Sequence, residues 1–330
     1  MEIIDADGHV NDGAGQDEIA RYMPAGNRSS QVFPVLDHLH FHYHFHYLRP
    51  GANRAGLKNP GPQEWVSFLD DTGISCSVVY PTFGLAVGRF VSEHWAIAAC
   101  RAYNNWLHEK FTSKNSRLKG MALLPIQDVE AAALELRRAV KELGMLGGML
   151  PSNGEGIKNH LGAKVYWPLY AEAEKLGSSL AVHVGSLHHL GMDGFSTYYP
   201  VHALGHPFGI AIQAAGMLAH GIFERFPKLR VAFLEGGSTW VPFFLDRLDR
   251  SYHRGHLQVD LDVKAKRKRK DPEIVMRGGK PAAIILDIDE YRELLERVED
   301  ADDLKMLKQM RKRPLKFRKL EDVLKDFPRV

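Results

Sequence analysis

The 330 residues carry 43 Lys and Arg against 40 Asp and Glu, a formal net charge of +3, with 45% hydrophobic and 25% charged residues. These are ordinary globular values, and the chain is long enough for one large domain or two smaller ones. They exclude a polyanion-binding charge excess over the whole chain, and two cysteines, Cys76 and Cys100, exclude a disulfide framework. Both cysteines lie in apolar surroundings, as reduced core thiols would. No signal pattern begins the chain, and no apolar run approaches the ~20 residues of a membrane span. A soluble cytoplasmic protein without a membrane partner is expected.

The chain opens on a short β-prone run that leads into Asp5, Asp7 and His9. Spacing two puts all three side chains on one face of an extended strand. An imidazole beside carboxylates suits a Zn²⁺-type or Mn²⁺-type ion, although a solvated strand end would carry the same short pattern. Residues 11–30 read as a polar, Gly-rich loop. In 37–48, DHLHFHYHFHYL, the histidines His38, His40, His42, His44 and His46 alternate with apolar residues. Period two makes this a strand-like insertion covering the mouth of the domain. Its imidazole face is also suited to a surface metal or a planar substrate.

From residue 62 a β/α rhythm sets in. Helices are expected over 62–71, 93–111, 129–143, 165–176, 208–226 and 240–252. Apolar strands are expected over 76–80, 118–124, 146–150, 180–184 and 229–234. Strands buried on both faces, each followed by a helix, imply a parallel sheet with right-handed crossovers. Six strands by residue 234 favour a (β/α)8 TIM-barrel-like fold over an open doubly wound sheet, and no GxGxxG follows the first strand. Such a barrel places its chemistry at the C-terminal ends of its strands. The polar groups there are Asp7, His9, Thr82, His183 and Glu235. His183 stands in the apolar run LAVHV, with Gly185 clearing space beside it. A loop from 188 to 206 brings His188, His189, His202 and His206, with His206 at the start of the next helix as the best contact for substrate or proton transfer.

These residues carry a resemblance. IIDADGH at 3–9, LAVHV at 180–184, FERFPKLRVAFLEGG at 223–237 and WVPFFLDRLD at 240–249 resemble the amidohydrolase-related family that includes aminocarboxymuconate-semialdehyde decarboxylase. AYNNWL at 102–107 and RLKGMALLP at 117–125 also fit. The resemblance covers residues 1–255. It implies a barrel with one divalent metal ion, zinc or manganese, and hydrolysis or non-oxidative decarboxylation of a small, often aromatic, carboxylic acid. Residue by residue, it implies Asp7, His9 and His183 as metal ligands, with Asp7 where the usual first histidine stands. Glu235 falls where the decarboxylases carry the histidine of an HGG motif, so Glu235 or His206 would move the proton.

The family's remaining ligand, an aspartate ending strand eight in an S-D-x-P-H context, has no counterpart in this sequence. A basic run, KAKRKRK at 264–270, is followed by strand-like residues 273–276 and 282–286 separated by only a few residues. So short a Gly-containing connection makes a hairpin and not a parallel crossover. The barrel is therefore expected to be incomplete after its sixth strand, with a small α+β appendage. Residues 271–330 resemble the second half of Phd/YefM-type antitoxins, in the hairpin, DEYRELL at 289–295 and the basic RKRPLKF at 311–317. That resemblance implies a catalytically silent barrel with a toxin-like protein partner as the alternative function. Residues 256–270 read as a solvated linker, and nucleic acid is not expected as a partner. Asp287 is the one late carboxylate able to stand in for the missing ligand; in the antitoxin reading it only precedes a helix. The open barrel edges would also allow a homo-oligomer.

Overall fold

The computed structural model describes residues 2–13, 16–28, 31–36, 60–187, 190–255, 273–277 and 280–285. The histidine-rich 37–48, His188, His189, the basic run and Asp287 lie outside these. The chain divides into two compact units, Met1–Val263 and Lys264–Val330, a boundary inside the 256–270 stretch.

The first unit is a β/α alternation. Its strands are β1 (Ile4–Val10), β2 (Cys76–Pro81), β3 (Leu118–Leu123), β4 (Gly147–Pro151), β5 (Ser179–His183) and β6 (Arg230–Phe233). They form one parallel sheet in sequence order, β1-β2-β3-β4-β5-β6. Helices α1 (Gln16–Ala20), α2 (Pro62–Thr72), α3 (Glu93–Leu107), α4 (Val129–Lys141), α5 (Trp167–Leu176), α6 (Tyr198–Ala219), α7 (Ile222–Arg225) and α8 (Trp240–Gly255) connect or follow them. The expected order is thus present, with two corrections. The stretch 11–30 contains α1 and a 3₁₀ turn, Ala25–Asn27, and the helix expected from 208 begins at Tyr198. It stops at His220, and the left-handed Gly221 (φ 63°) starts α7 separately.

Local chemistry explains the other boundaries. Pro62 opens α2, and Glu64 Oε2 accepts the Gly61 N–H at 2.9 Å, satisfying one free amide of the first turn. Asp128 caps α4 by accepting the Ala131 N–H at 3.0 Å. Gly73 and Gly177 end α2 and α5 at φ 70° and 63°, a conformation that costs glycine little.

The core lies between the sheet and its helices, with Leu123, Leu124, Met149, Leu150, Leu180 and Val182 fully buried. One polar group crosses it. Asn104 Nδ2 donates to Leu123 O at 3.0 Å and Glu135 Oε1 at 2.8 Å, while its Oδ1 accepts the Leu123 N–H at 2.8 Å. A single amide therefore ties α3, β3 and α4 together. β4 and β5 approach so closely that a Cβ on Gly147 would lie 1.7 Å from Ser179 O.

Among the described residues no pairing joins β6 back to β1. The sheet is an open, curled segment of a barrel, and Ile3 and Ile4 at its free edge are 49% and 56% exposed. In the second unit β7 (Glu273–Arg277) and β8 (Lys280–Ile285) pair antiparallel, the hairpin that the short connection demands. Among the described residues no helix is long and apolar enough to cross a membrane.

Asn104→Ala should orphan the Leu123 amide inside the core and take one donor from Glu135, which keeps Arg138. A loss of about 2–3 kcal/mol in denaturant unfolding is expected; a loss within 0.5 kcal/mol would refute the role of the tie.

Candidate metal centre

β1 supplies two of the site's donors, and a bulge aims them. Its ladder with β2 pairs Asp5 with Ser77, then slips and resumes with Gly8 opposite Val79 and His9 opposite Tyr80. One extra residue on β1 breaks the alternation of faces. Asp5 Oδ1 accepts the Asp7 N–H at 3.2 Å, and its Oδ2 accepts the Ser77 hydroxyl at 2.6 Å. Asp5 is therefore not a third donor beside Asp7 and His9, as plain alternation predicts; it holds the bulge. Gly8 makes room for this arrangement, because a Cβ there would lie 2.3 Å from Ser77 Oγ and 2.8 Å from Asp5 Oδ2.

His183 ends β5 and is fully buried. Its Nδ1 lies 2.6 Å from Val184 O, and His9 Nδ1 lies 2.6 Å from Pro81 O. A carbonyl only accepts, so each Nδ1 carries the hydrogen and each Nε2 presents a lone pair. The two Nε2 atoms are 3.3 Å apart. Asp7 Oδ1 stands 3.4 Å from His183 Nε2 and 3.7 Å from His9 Nε2. From the turn after β6, Glu235 Oε1 reaches within 3.6 Å of His9 Nε2. Donor atoms of all four residues lie within 4.8 Å of one another. Gly185 serves elsewhere than expected: a Cβ on it would meet Leu85 O at 2.2 Å.

These residues fit a divalent cation. Asp7 Oδ1 is buried with no hydrogen-bond partner, a costly state unless something positive joins it. A tetrahedral ion about 2.1 Å from each ligand would separate its donors by about 3.4 Å, close to the spacing observed. Both histidines spend Nδ1–H on a backbone carbonyl, the support that fixes a ligating imidazole.

Burial opposes the charged form of His9, but Glu235, Pro81 O and Asp7 outweigh it and raise its pKa above 6.5. Burial likewise opposes the Glu235 carboxylate, yet His9, His183 and His206 hold it down to about 2.

The wall of the site includes a residue that sequence reading passed over. Tyr80 packs its ring 5.6 Å from that of His183 and 6.3 Å from that of His9. Burial pushes its phenol well above the usual range, so it stays protonated. Thr82, singled out in the sequence, instead donates its hydroxyl to Val10 O at 2.9 Å and its N–H to Asp12 Oδ1 at 2.9 Å, clasping the β1 and β2 loops. Tyr80 lies two positions earlier, and strand alternation carried that signal. His206 sits within α6, not at its start, with Nε2 3.6 Å from Glu235 Oε2 and Nδ1 2.9 Å from His202 O. The His202 ring lies 4.1 Å from that of His206, and the Tyr198 ring 5.3 Å from that of His202.

A parallel β/α sheet with metal-type donors at the C-terminal ends of β1, β5 and β6 defines a barrel-type metalloprotein class. Within it, the family model of the amidohydrolases matches residues 4–267, and the chain belongs to that family. It is 28% identical over 184 residues to 2-amino-3-carboxymuconate-6-semialdehyde decarboxylase of Dictyostelium discoideum, covering 56% of this chain and 49% of that protein. It is 30% identical over 203 residues to γ-resorcylate decarboxylase of Rhodococcus jostii, covering 56% and 58%. The chain thus spans about half the length of these curated relatives. Among solved structures, 5-carboxyvanillate decarboxylase of Novosphingobium aromaticivorans, complexed with manganese, superposes with a TM-score of 0.57 at 19% identity, over 79% of this chain and 72% of that one. At that identity the likeness is one of fold.

Two outcomes follow. Gly8→Ala should displace Ser77 or Asp5 and open the bulge, costing about 1–3 kcal/mol by the overpacking rule and weakening metal uptake; unchanged unfolding and uptake would refute the bulge's role. In chelator-treated protein, the contribution of His9 is complete below pH 6.5 and is lost as pH rises through its raised value. That of Glu235 is present above 4.5 and is lost as pH falls towards about 2. The thermal midpoint should therefore decline above pH 6.5 more steeply in the wild type than in His9→Gln, and parallel curves would refute the pairing.

Proposed function

We propose that the chain is a metal-dependent enzyme that removes the carboxylate of a small aromatic acid without oxidation. One divalent ion, Zn²⁺ or Mn²⁺, would be held by Asp7, His9 and His183. The observation that carries this reading is the meeting of two imidazole lone pairs with a buried, unpartnered carboxylate oxygen. The names of the relatives, decarboxylases of carboxylated rings and unsaturated acids, favour decarboxylation over hydrolysis.

When bound, the ion would supply Lewis-acid polarisation of a substrate oxygen or water. Pro81 O and Val184 O hold the imidazoles with Nε2 inward, so the ligands need no rearrangement. Tyr80 packs beside both rings in the wall of the site. His206 stands 3.6 Å from Glu235 Oε2, and one of this pair would return a proton to the carbon that loses its carboxylate. In hydrolysis the runner-up role of the same pair would be to protonate a leaving group.

The test is release of CO₂ from a panel of hydroxylated benzoates, with protein loaded with Mn²⁺ or Zn²⁺ and after chelation. Chelation should abolish turnover and metal should restore it. His183→Ala removes a ligand, so it should cost more than the roughly 10–100-fold typical of outer-shell losses. Turnover that survives both chelation and His183→Ala would overturn the reading.

A further inference from the structure

We infer that Glu235 is itself a fourth ligand of the ion, held in place by a left-handed turn at the end of β6. This deepens the proposed function and rests on its metal site.

Three observations carry it. The first is geometric: Glu235 Oε1 lies 3.6 Å from His9 Nε2, about as far as Asp7 Oδ1 does at 3.7 Å. It belongs to the same cluster of donors, all within 4.8 Å of one another. The second is the backbone. The last bond of the β5–β6 ladder region is Leu234 N–H to Val182 O at 3.0 Å, and the chain then turns at Glu235 with φ 59°. Glu235 is the one non-glycine residue with positive φ among the described residues. Such a conformation disfavours a residue with a Cβ. With this turn the carboxylate lies within 3.6 Å of His9 Nε2 at the end of β1 and 3.8 Å of His183 Nδ1 at the end of β5. Two glycines follow, and a Cβ on Gly236 would already lie 3.2 Å from Trp240 Nε1.

The third observation is charge. Asp7 with two neutral imidazoles offers a single negative charge to a divalent ion, whereas Asp7 and Glu235 together balance it. Oε1 of Glu235 faces His9, while Oε2 lies between His206 Nε2 at 3.6 Å and His183 Nδ1 at 3.8 Å. One carboxylate thereby joins the ion's coordination sphere to the proton-bearing rim.

The test is metal affinity, read without turnover. Apo protein is titrated with Co²⁺, following its visible d–d absorption, and Zn²⁺ affinity is measured by competition with a chromophoric chelator. Wild type, Glu235→Gln, Glu235→Gly and His183→Ala are compared. Glu235→Gly is the key variant, because glycine adopts the left-handed turn without penalty, so a loss of affinity there reports the missing carboxylate and not a strained backbone. The expected result is one ion per wild-type chain, at least a tenfold loss of affinity in both Glu235 variants, and altered Co²⁺ bands. Glu235 variants that bind as tightly as wild type, with His183→Ala still impaired, would overturn the inference and leave the proposed function standing. A wild type that takes up no ion would overturn both.

Discussion

The structure turns on a concentration of side-chain atoms able to bind a cation. Two imidazole Nε2 atoms 3.3 Å apart, the buried Asp7 Oδ1 and Glu235 Oε1 face one another at the open end of the sheet. Acceptors packed this closely repel unless a cation joins them. Much of the surrounding architecture serves to keep them there. Pro81 O and Val184 O fix both ring tautomers, the Asp5–Ser77 bulge releases Asp7 from its sheet position, and the left-handed turn at Glu235 brings the last carboxylate in.

Six strands are enough to bring these side chains together. The curl of the sheet carries β1 towards β5 and β6 at their C-terminal ends, although no hydrogen bonds link β1 to β6 among the described residues. The opposite consequence is an apolar free edge, with Ile3 and Ile4 exposed, and exposed Leu204, Phe208 and Ile212 recurring every four residues on α6. The interior compensates with contact so close that Gly147 and Gly185 tolerate no Cβ against the neighbouring carbonyls.

Much of this was legible in the residues. Continuous apolar runs such as 76–80 and 180–184 became strands in order, because burial on both faces leaves little else for them to be. His183 stands out as an imidazole inside the apolar run 180–184, and Asp7 and His9 as donors at strand spacing. Asp5 was misplaced because the alternation rule has no way to register a bulge, which depends on Ser77 lying across the ladder. α6 begins ten residues before its helical pattern does, since 198–207 holds two tyrosines, two histidines and two prolines. Tyr80 was missed because an aromatic ending an apolar strand looks like core until its neighbours are known.

The sequence by itself determined the β/α order, the parallel sheet, the hairpin at 273–285 and the residue types able to hold a metal. These rest on local periodicity and connection length, which act within tens of residues. Only the tertiary structure decided that His9 and His183, 174 positions apart, meet nitrogen to nitrogen, and that Glu235 joins them while Asp5 does not. Those outcomes depend on sheet curl, a one-residue slip and a single left-handed backbone angle. Each exists only once distant strands have packed.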